Sequence, residues 1–266
     1  MDFTRLKTAR TDAGVLEVRL ANGPVNAVDQ PMYEEIATLF RNPDAVASDI
    51  RAIVLAADGK HFCGGNDLDE FATMTSANGG HRMWQVREAF FAISECAVPV
   101  IAAVHGVALG TGLAIAGSCD VIVAAPDARF GLPELTVGVM GGARHLARFA
   151  PQPVVRRMFF TGEQLTASEL RAAGGAVIVA PDGGPLDHAH RIALRIAAMS
   201  PTAVRVGKAV LDRIEWMDLR SGYEFEQAAT VRMAGFADSK EALAAFREKR
   251  DPRYLPLHRS NPLYPA

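Results

Sequence analysis

The pattern of apolar and polar positions divides the chain into short strand-like segments and longer helix-like segments. Four segments are short and either apolar or alternating, which is typical of strands: residues 14–20, 50–56, 98–104 and 121–125. Two longer segments carry apolar residues on one helical face: residues 31–40 and 81–95. Strands that alternate with helices are typical of β-α-β crossovers, so the sequence predicts an α/β domain.

The pattern becomes mainly helical after Pro151. Thr166-Ala167-Ser168-Glu169 has the spacing of a helix capping box. Helical periodicity covers two further segments: residues 185–199 and 202–249. The dipeptide Ser200-Pro201 separates them, because proline is favoured at the start of a helix and not in its interior. We therefore predict a core of residues 1–199 followed by a helical C-terminal region of residues 200–266.

Composition and charge narrow the class of protein. Hydrophobic residues make up 49% and charged residues 22% of the 266 positions, as in globular proteins. The net charge is −2 and the chain has no dense basic run, which argues against nucleic-acid binding. Cys63, Cys96 and Cys119 do not have the spacing of a zinc site, so we expect free thiols and no metal site.

One uncharged stretch, residues 96–119, is long enough to cross a bilayer. Pro99, Gly106 and Gly110 interrupt it, and such residues favour a strand, a loop and a helix in the centre of an α/β core. The first residues of the chain also lack the apolar segment of a signal peptide. We therefore expect a cytoplasmic protein without a membrane span.

Two glycine-rich segments are the strongest candidates for chemistry. His61-Phe62-Cys63-Gly64-Gly65-Asn66-Asp67-Leu68 follows a predicted strand, and Gly106-Val107-Ala108-Leu109-Gly110-Thr111-Gly112-Leu113 follows another and opens a helix. Glycine lets the backbone approach a ligand closely, and the first N–H groups of a helix have no partner within it. One N–H group from each segment could therefore meet at a single oxygen and form an oxyanion hole.

Two other interpretations of these glycines stay open. They could serve only tight turns and close packing. Gly110-Thr111-Gly112 could also begin a dinucleotide-binding fingerprint, but the third glycine of that motif would fall at Ile115.

Several blocks of the sequence resemble the crotonase superfamily of enoyl-CoA hydratases and isomerases. In chain order they are Phe62-Cys63-Gly64-Gly65-Asn66-Asp67-Leu68, Pro99-Val100-Ile101-Ala102-Ala103-Val104-His105-Gly106, Ala108-Leu109-Gly110-Thr111-Gly112, Cys119-Asp120, Phe130-Gly131-Leu132-Pro133-Glu134, Phe160-Thr161-Gly162-Glu163 and Phe246-Arg247-Glu248-Lys249-Arg250. The resemblance implies a crotonase-like spiral of ββα units. It also implies that the helical C-terminal region assembles a homotrimer or a dimer of trimers.

The resemblance further implies a site for an acyl-CoA thioester. Its oxyanion-hole donors would be the backbone N–H groups of Asn66 and Thr111, with Thr111 in place of a more usual glycine. Lys60 and Lys249 could contact the phosphates of CoA, or they could be plain solvated surface residues. The backbone of three residues would hold the adenine end of CoA: Gly64, Asp67 and Leu68. Further candidate substrate contacts are Gly65, Gly110, Gly112, Ala114, Met140 and Gly141.

One catalytic position departs from the hydratases of this family, which use two glutamates. The first aligns with Ala114, and only the second is present, as Glu134. A single carboxyl suits the transfer of a proton between two carbons, so we expect Glu134 to isomerise a 3-enoyl-CoA to a 2-enoyl-CoA. Hydration, decarboxylation, dehalogenation, hydrolysis, retro-Claisen cleavage and non-catalytic acyl-CoA binding stay open. No metal or cofactor is expected, because CoA belongs to the substrate.

Other side chains could line the same pocket in ways that the sequence does not reveal. The polar or flexible candidates are Glu70, His81, His105, Met140 and His145. The apolar candidates are Phe71, Met74, Met83, Trp84 and Phe91, although such residues at helical spacing are more often core.

Overall fold

Two sheets organise the protein, and the computed structural model describes residues 2–181 and 184–254. The strands are β1 (Leu6–Arg10), β2 (Val15–Leu20), β3 (Ala52–Ala57), β4 (Val100–Val104), β5 (Val107–Leu109), β6 (Val121–Ala124), β7 (Arg129–Gly131), β8 (Gln164–Thr166) and β9 (Ile178–Val179). The larger sheet has the order β1-β2-β3-β4-β6-β9 and the smaller sheet the order β5-β7-β8. The pairs from β2 to β9 are parallel, whereas β1 pairs antiparallel with β2.

The helices cover the larger sheet and form the C-terminal part of the described chain. They are α1 (Gln30–Arg41), α2 (Leu68–Phe71), α3 (Gly79–Ser94), α4 (Thr111–Ser118), α5 (Ala143–Leu146), α6 (Gln152–Thr161), α7 (Ala167–Ala172), α8 (Gly184–Ala197), α9 (Pro201–Ile214), α10 (Leu219–Met233) and α11 (Ala237–Glu248). The predicted capping box is confirmed, since the Thr166 hydroxyl accepts from the Glu169 N–H and the Glu169 carboxylate accepts from the Thr166 N–H.

The central strand β3 is buried on both faces. Ile53 and Leu55 belong to the larger hydrophobic cluster, together with residues of α1. Ala52, Val54 and Ala56 point the other way, into a second cluster that includes alanines of α8. Because successive side chains of a strand alternate between its faces, a strand covered on both faces must be apolar throughout. This explains the continuous apolar run of the sequence and the position of β3 between two helical layers.

Buried ion pairs attach α9 to the α/β core. The Arg205 guanidinium donates to the Asp44 carboxylate and to the Ile50 carbonyl. The Lys208 ammonium donates to the Asp120 carboxylate at 2.8 Å and to the Ser94 carbonyl. The first helix of the C-terminal region is therefore packed on the core. The division of the chain at residue 200 stays a prediction, and residues 255–266 lie outside the described part.

The structure refines two expectations. The helical pattern over residues 202–249 belongs to three helices, α9, α10 and α11. The Asp218 carboxylate accepts from the N–H groups of Arg220 and Ser221 and so begins α10. The uncharged stretch 96–119 forms β4, β5 and α4. Within residues 2–181 and 184–254, no helix combines the length and the apolar character needed to cross a bilayer.

We predict that Leu55→Ala lowers the free energy of unfolding by about 2–5 kcal/mol, because it opens a cavity at a fully buried position. The measurement is urea unfolding at constant protein concentration. Leu194→Ala, the same exchange at a 45% exposed site on α8, is the matched control and should change stability far less. Equal losses in the two variants would contradict the assignment of β3 to the core.

Candidate active site

The two glycine-rich segments lie side by side. The Cys63 N–H donates to the Val107 carbonyl at 3.0 Å, and the Leu109 N–H donates to the Cys63 carbonyl at 3.1 Å. These bonds form a parallel bridge between Cys63 and Ala108. The backbones of the two segments are therefore fixed relative to one another shortly before Asn66 in the first segment and Thr111 in the second.

The backbone N–H group of Asn66 is free to bind a ligand. A parallel bridge joins Val28 to Asn66, and its two hydrogen bonds use the Gly65 carbonyl and the Asp67 N–H. The Asn66 N–H itself has no hydrogen-bond partner among the described residues. Gly65 precedes it with a φ of +119°, a backbone conformation that residues other than glycine rarely adopt.

The backbone N–H group of Thr111 is free for a different reason. Thr111 is the first residue of α4, where an N–H group has no partner within the helix. No other partner occurs in residues 2–181 and 184–254. Gly110 precedes it with φ +51° and ψ −111°, so a glycine with positive φ orients each of the two N–H groups. Both residues line one cavity, where the α4 dipole favours negative charge.

Glu134 supplies a buried carboxyl group to the same cavity. It begins the short 3-10 helix Glu134–Val137 after β7, and only 6% of its surface is exposed. Its Oε2 atom is buried and has no hydrogen-bond partner in the described part of the chain. Burial raises the pKa of this carboxyl from 4.5 to about 6. A carboxyl with such a pKa can exchange protons near neutral pH.

The cavity has a volume of about 460 Å³ and contains most of the predicted site residues. Those that line it are Gly64, Gly65, Asn66, Asp67, Leu68, Gly110, Thr111, Ala114, Glu134, Met140 and Gly141. Ala114 lies on α4 and is 1% exposed. Its side chain is a methyl group, which can neither donate nor accept a proton.

Three predicted contacts are not among the residues that line this cavity. Gly112 packs against the neighbouring segment, since a Cβ atom there would lie 2.3 Å from the Cys63 carbonyl oxygen. Lys60 and Lys249 are exposed, and Lys249 ends α11 in a left-handed conformation. The structure thus gives Gly112 a packing role, and the phosphate contact of the two lysines stays a prediction.

The alternative polar candidates have other surroundings. Glu70 forms an ion pair with Arg82, His81 stacks on Trp84, and His105 Nε2 is 3.0 Å from the Gly59 carbonyl. His145 lines a second cavity of about 750 Å³, which does not include Glu134. Burial lowers the pKa of His145 to about 4, so its ring is neutral at neutral pH. Of the alternatives, only Met140 lines the cavity that holds Glu134.

Sequence reasoning missed part of the apolar wall. Of the apolar candidates, Phe71 and Met83 line the cavity, and Val25, Ala27 and Phe90 do so without having been singled out. Helical spacing does not reveal whether an apolar side chain faces a pocket or the core, so periodicity carries no signal for Phe90.

Tyr33 was also missed. Its hydroxyl lies 2.5 Å from Asn66 Oδ1 and 3.2 Å from Thr111 Oγ1. The only signal in the sequence for such a contact is the tyrosine hydroxyl on an otherwise mostly apolar face of α1.

Comparisons with known proteins identify the family of this chain. The sequence model of the enoyl-CoA hydratase/isomerase family matches residues 10–255. A Rhodococcus jostii protein named (7aS)-7a-methyl-1,5-dioxo-2,3,5,6,7,7a-hexahydro-1H-indene-carboxyl-CoA hydrolase is 35% identical over 244 residues, which span 87% of this chain and 91% of that protein. The 2,3-dehydroadipyl-CoA hydratase of Escherichia coli is 34% identical over 225 residues, 81% of this chain and 86% of the relative.

A solved structure extends the similarity to the fold. The enoyl-CoA hydratase of Mycobacterium smegmatis superposes with a TM-score of 0.85 and 31% sequence identity. The aligned residues cover 94% of this chain and 98% of the hydratase chain. The fold is therefore the crotonase fold, an α/β architecture with a helical C-terminal region. The chain belongs to the enoyl-CoA hydratase/isomerase family, which confirms the family resemblance found in the sequence.

We predict that Glu134→Gln raises the free energy of unfolding at pH 7.5 by about 1 kcal/mol. A buried carboxyl with its pKa raised from 4.5 to about 6 destabilises the folded state by about 2 kcal/mol when it is ionised, and an unpartnered amide offsets part of the gain. Because the folded-state pKa is the higher one, this penalty is absent below pH 4.5, grows between pH 4.5 and about 6, and is complete above that pH. Urea unfolding at pH 7.5 and pH 4.5 measures the difference, and a gain that does not shrink at pH 4.5 would contradict the assignment.

Proposed function

We propose that this protein isomerises an enoyl-CoA thioester, with Glu134 as its single acid and base. The observation that carries the proposal is one buried carboxyl, that of Glu134, in a cavity whose lining also includes Ala114, Asn66 and Thr111. The other carboxylates of the lining are Asp67, which caps α2 by accepting from the Glu70 N–H, and Asp69, which is exposed. Neither is placed like Glu134, which is buried with its Oε2 atom unpartnered.

The proposed reaction moves one proton between two carbons of the substrate. The Glu134 carboxylate takes the proton from C2 of a 3-enoyl-CoA, and the electron pair of that C–H bond delocalises into a dienolate. The negative charge develops on the thioester oxygen, which accepts from the N–H groups of Asn66 and Thr111. The protonated Glu134 then returns the proton to C4, and the C2–C3 double bond forms. No water and no second acid take part.

The expected contributions of the two N–H donors and of the Glu134 base to the rate are both large enough to support this mechanism. Each oxyanion-hole donor contributes about 3 kcal/mol to stabilising the transition state. A general base within reach of the proton contributes ~10²–10⁴-fold in rate. The raised pKa of Glu134 supports the proposal, because the same group must take up a proton and release it again at near-neutral pH.

Hydrolysis is the second candidate, and the relative from Rhodococcus jostii favours it. That protein is named a hydrolase of a bicyclic dioxo acyl-CoA. In thioester hydrolysis Glu134 would take a proton from a water molecule, and the hydroxide would add to the thioester carbonyl carbon, whose oxygen accepts from the two N–H groups. The C–S bond would then break, and the CoA thiolate would leave with the proton that Glu134 holds. The change requires water at the position that C2 occupies in the first reaction, and it uses the same single carboxyl.

The remaining assignments rest on the family and on where the residues lie. We propose that the backbone of Gly64, Asp67 and Leu68 contacts CoA, since all three line the cavity mouth or wall. We also propose a homotrimer or a dimer of trimers. Large apolar side chains exposed on the C-terminal helices support association, because such surfaces favour protein–protein contacts. They include Leu211, Leu219, Val231, Leu243 and Phe246, and Trp216 is exposed in the turn between α9 and α10.

We predict that the protein converts 3-enoyl-CoA to 2-enoyl-CoA in heavy water without forming 3-hydroxyacyl-CoA, as read by mass spectrometry. Glu134→Gln should lower this rate by about 10²-fold or more, because it removes the base. Glu224→Gln, the same exchange at an exposed position, is the control and should keep the rate.

The products separate the candidate functions. A hydroxyacyl product would identify a hydratase, and release of free CoA would identify thioester hydrolysis; either without isomerisation would overturn the proposal. Absence of both turnover and deuterium uptake would mean that the substrate class is wrong or that the protein only binds acyl-CoA.

We predict that kcat/KM falls tenfold per pH unit below about pH 6 in the free enzyme. The active form of Glu134 is the carboxylate, and its raised pKa means that this form is lost as the pH falls through about 6, not 4.5. The pH profile measured from pH 4.5 to 8 checks this. A rate that stays constant down to pH 5 would show that another group acts as the base.

A further inference from the structure

A single buried phenol joins the two segments that carry the free N–H groups. Tyr33 lies on α1 and is 4% exposed. Its hydroxyl is 2.5 Å from Asn66 Oδ1 and 3.2 Å from Thr111 Oγ1. It is not among the residues that line the 460 Å³ cavity. Tyr33 therefore contacts the side chains of both donor residues from behind the site.

The donor and acceptor roles in this network follow from the number of hydrogens. The phenolic hydroxyl group has one hydrogen to donate, and the Asn66 amide oxygen can only accept. The Tyr33 hydroxyl therefore donates to Asn66 Oδ1. The Thr111 hydroxyl then donates to the phenol oxygen. Burial raises the pKa of Tyr33 above its usual range, so the hydroxyl keeps its hydrogen and serves as a fixed donor.

Contacts of α1 with neighbouring elements hold the Tyr33 side chain in place. The Asp29 carboxylate caps α1 by accepting from the Met32 N–H, and the Glu70 carboxylate accepts from the Gln30 N–H at 2.7 Å. The Tyr33 ring packs edge-on against Phe90 of α3, with 6.1 Å between ring centroids. These contacts fix the hydroxyl relative to the core, and through it the side chains of Asn66 and Thr111.

We propose that Tyr33 is a positioning residue that sets the separation of the two oxyanion-hole donors, because it bridges their side chains through one hydroxyl group. This inference rests on the proposed role of the Asn66 and Thr111 N–H groups, and not on which acyl-CoA reaction follows. A glycine at position 111 would have no side chain to take part. The bridge thus depends on the threonine of this chain.

The variant Tyr33→Phe removes the hydroxyl and keeps the ring against Phe90. Small displacements of catalytic groups lower turnover strongly, so we expect kcat to fall about 10-fold while KM changes less than about twofold. Tyr223→Phe removes a hydroxyl from a 58% exposed ring on α10 and is the matched control, for which kcat should not change. An unchanged kcat in Tyr33→Phe, or a rise in KM alone, would overturn the inference.

A binding measurement tests the same bridge without any turnover. The probe is a cinnamoyl-CoA thioester, whose absorption moves to the red as hydrogen bonds polarise its carbonyl group. We expect a red shift with the unmodified protein and with Tyr223→Phe, and a smaller shift with Tyr33→Phe at saturating probe. Equal shifts in all three proteins would refute the positioning role. If the probe shift depends on Tyr33 but no isomerisation occurs, the proposed reaction fails and the bridge stands.

Thr111→Val keeps the test decisive if Tyr33→Phe does not fold. It removes only the hydroxyl that donates to the phenol and leaves the Thr111 N–H in place. We expect a smaller red shift than in the unmodified protein, and no further loss when Tyr33→Phe is added where both variants fold. Fully additive losses would show that the two hydroxyl groups act independently and would contradict the bridge.

Discussion

The backbone pairing of Cys63 with residues 107 and 109 is the constraint on which the rest of the site depends. It brings two segments that lie about 45 residues apart in sequence into register, and α4 begins directly after the second one. The pairing is close because Gly112 lets α4 approach the Cys63 carbonyl, where a side chain would collide. The positions of the free N–H groups of Asn66 and Thr111 follow from this contact, and so does the shape of the cavity around Glu134.

The site contains groups that make folding less favourable. Glu134 is buried with one oxygen unpartnered, and Gly65 and Gly110 adopt conformations that are restricted for other residues. Unpaired polar groups in a cavity destabilise a folded protein unless a ligand or solvent satisfies them. The extensive apolar packing around β3, from both sides of the sheet, supplies the stability that allows such groups to persist.

The sequence predicted the large elements because their signals are local. The run that forms β3 is apolar, the Thr166 box caps α7, and Ser200-Pro201 begins α9. The two- and three-residue strands β5, β7, β8 and β9 have no periodicity and exist only through pairing with distant segments. The predicted site residues come from short continuous motifs, whereas Tyr33 reaches the site from α1, which carries no such motif. Its contact depends on how α1 packs, and an amphipathic helix does not encode that choice locally.

The two free N–H groups belong to the main chain, and this has a consequence for how such a protein can evolve. Every amino acid except proline retains the N–H group, so exchanges at positions 66 and 111 leave the donors present as long as the backbone keeps its path. Side chains at positions such as 114 can meanwhile change without altering those donors. A lineage built on this backbone can therefore acquire new proton-transfer groups one at a time while its recognition of a developing negative charge is inherited intact.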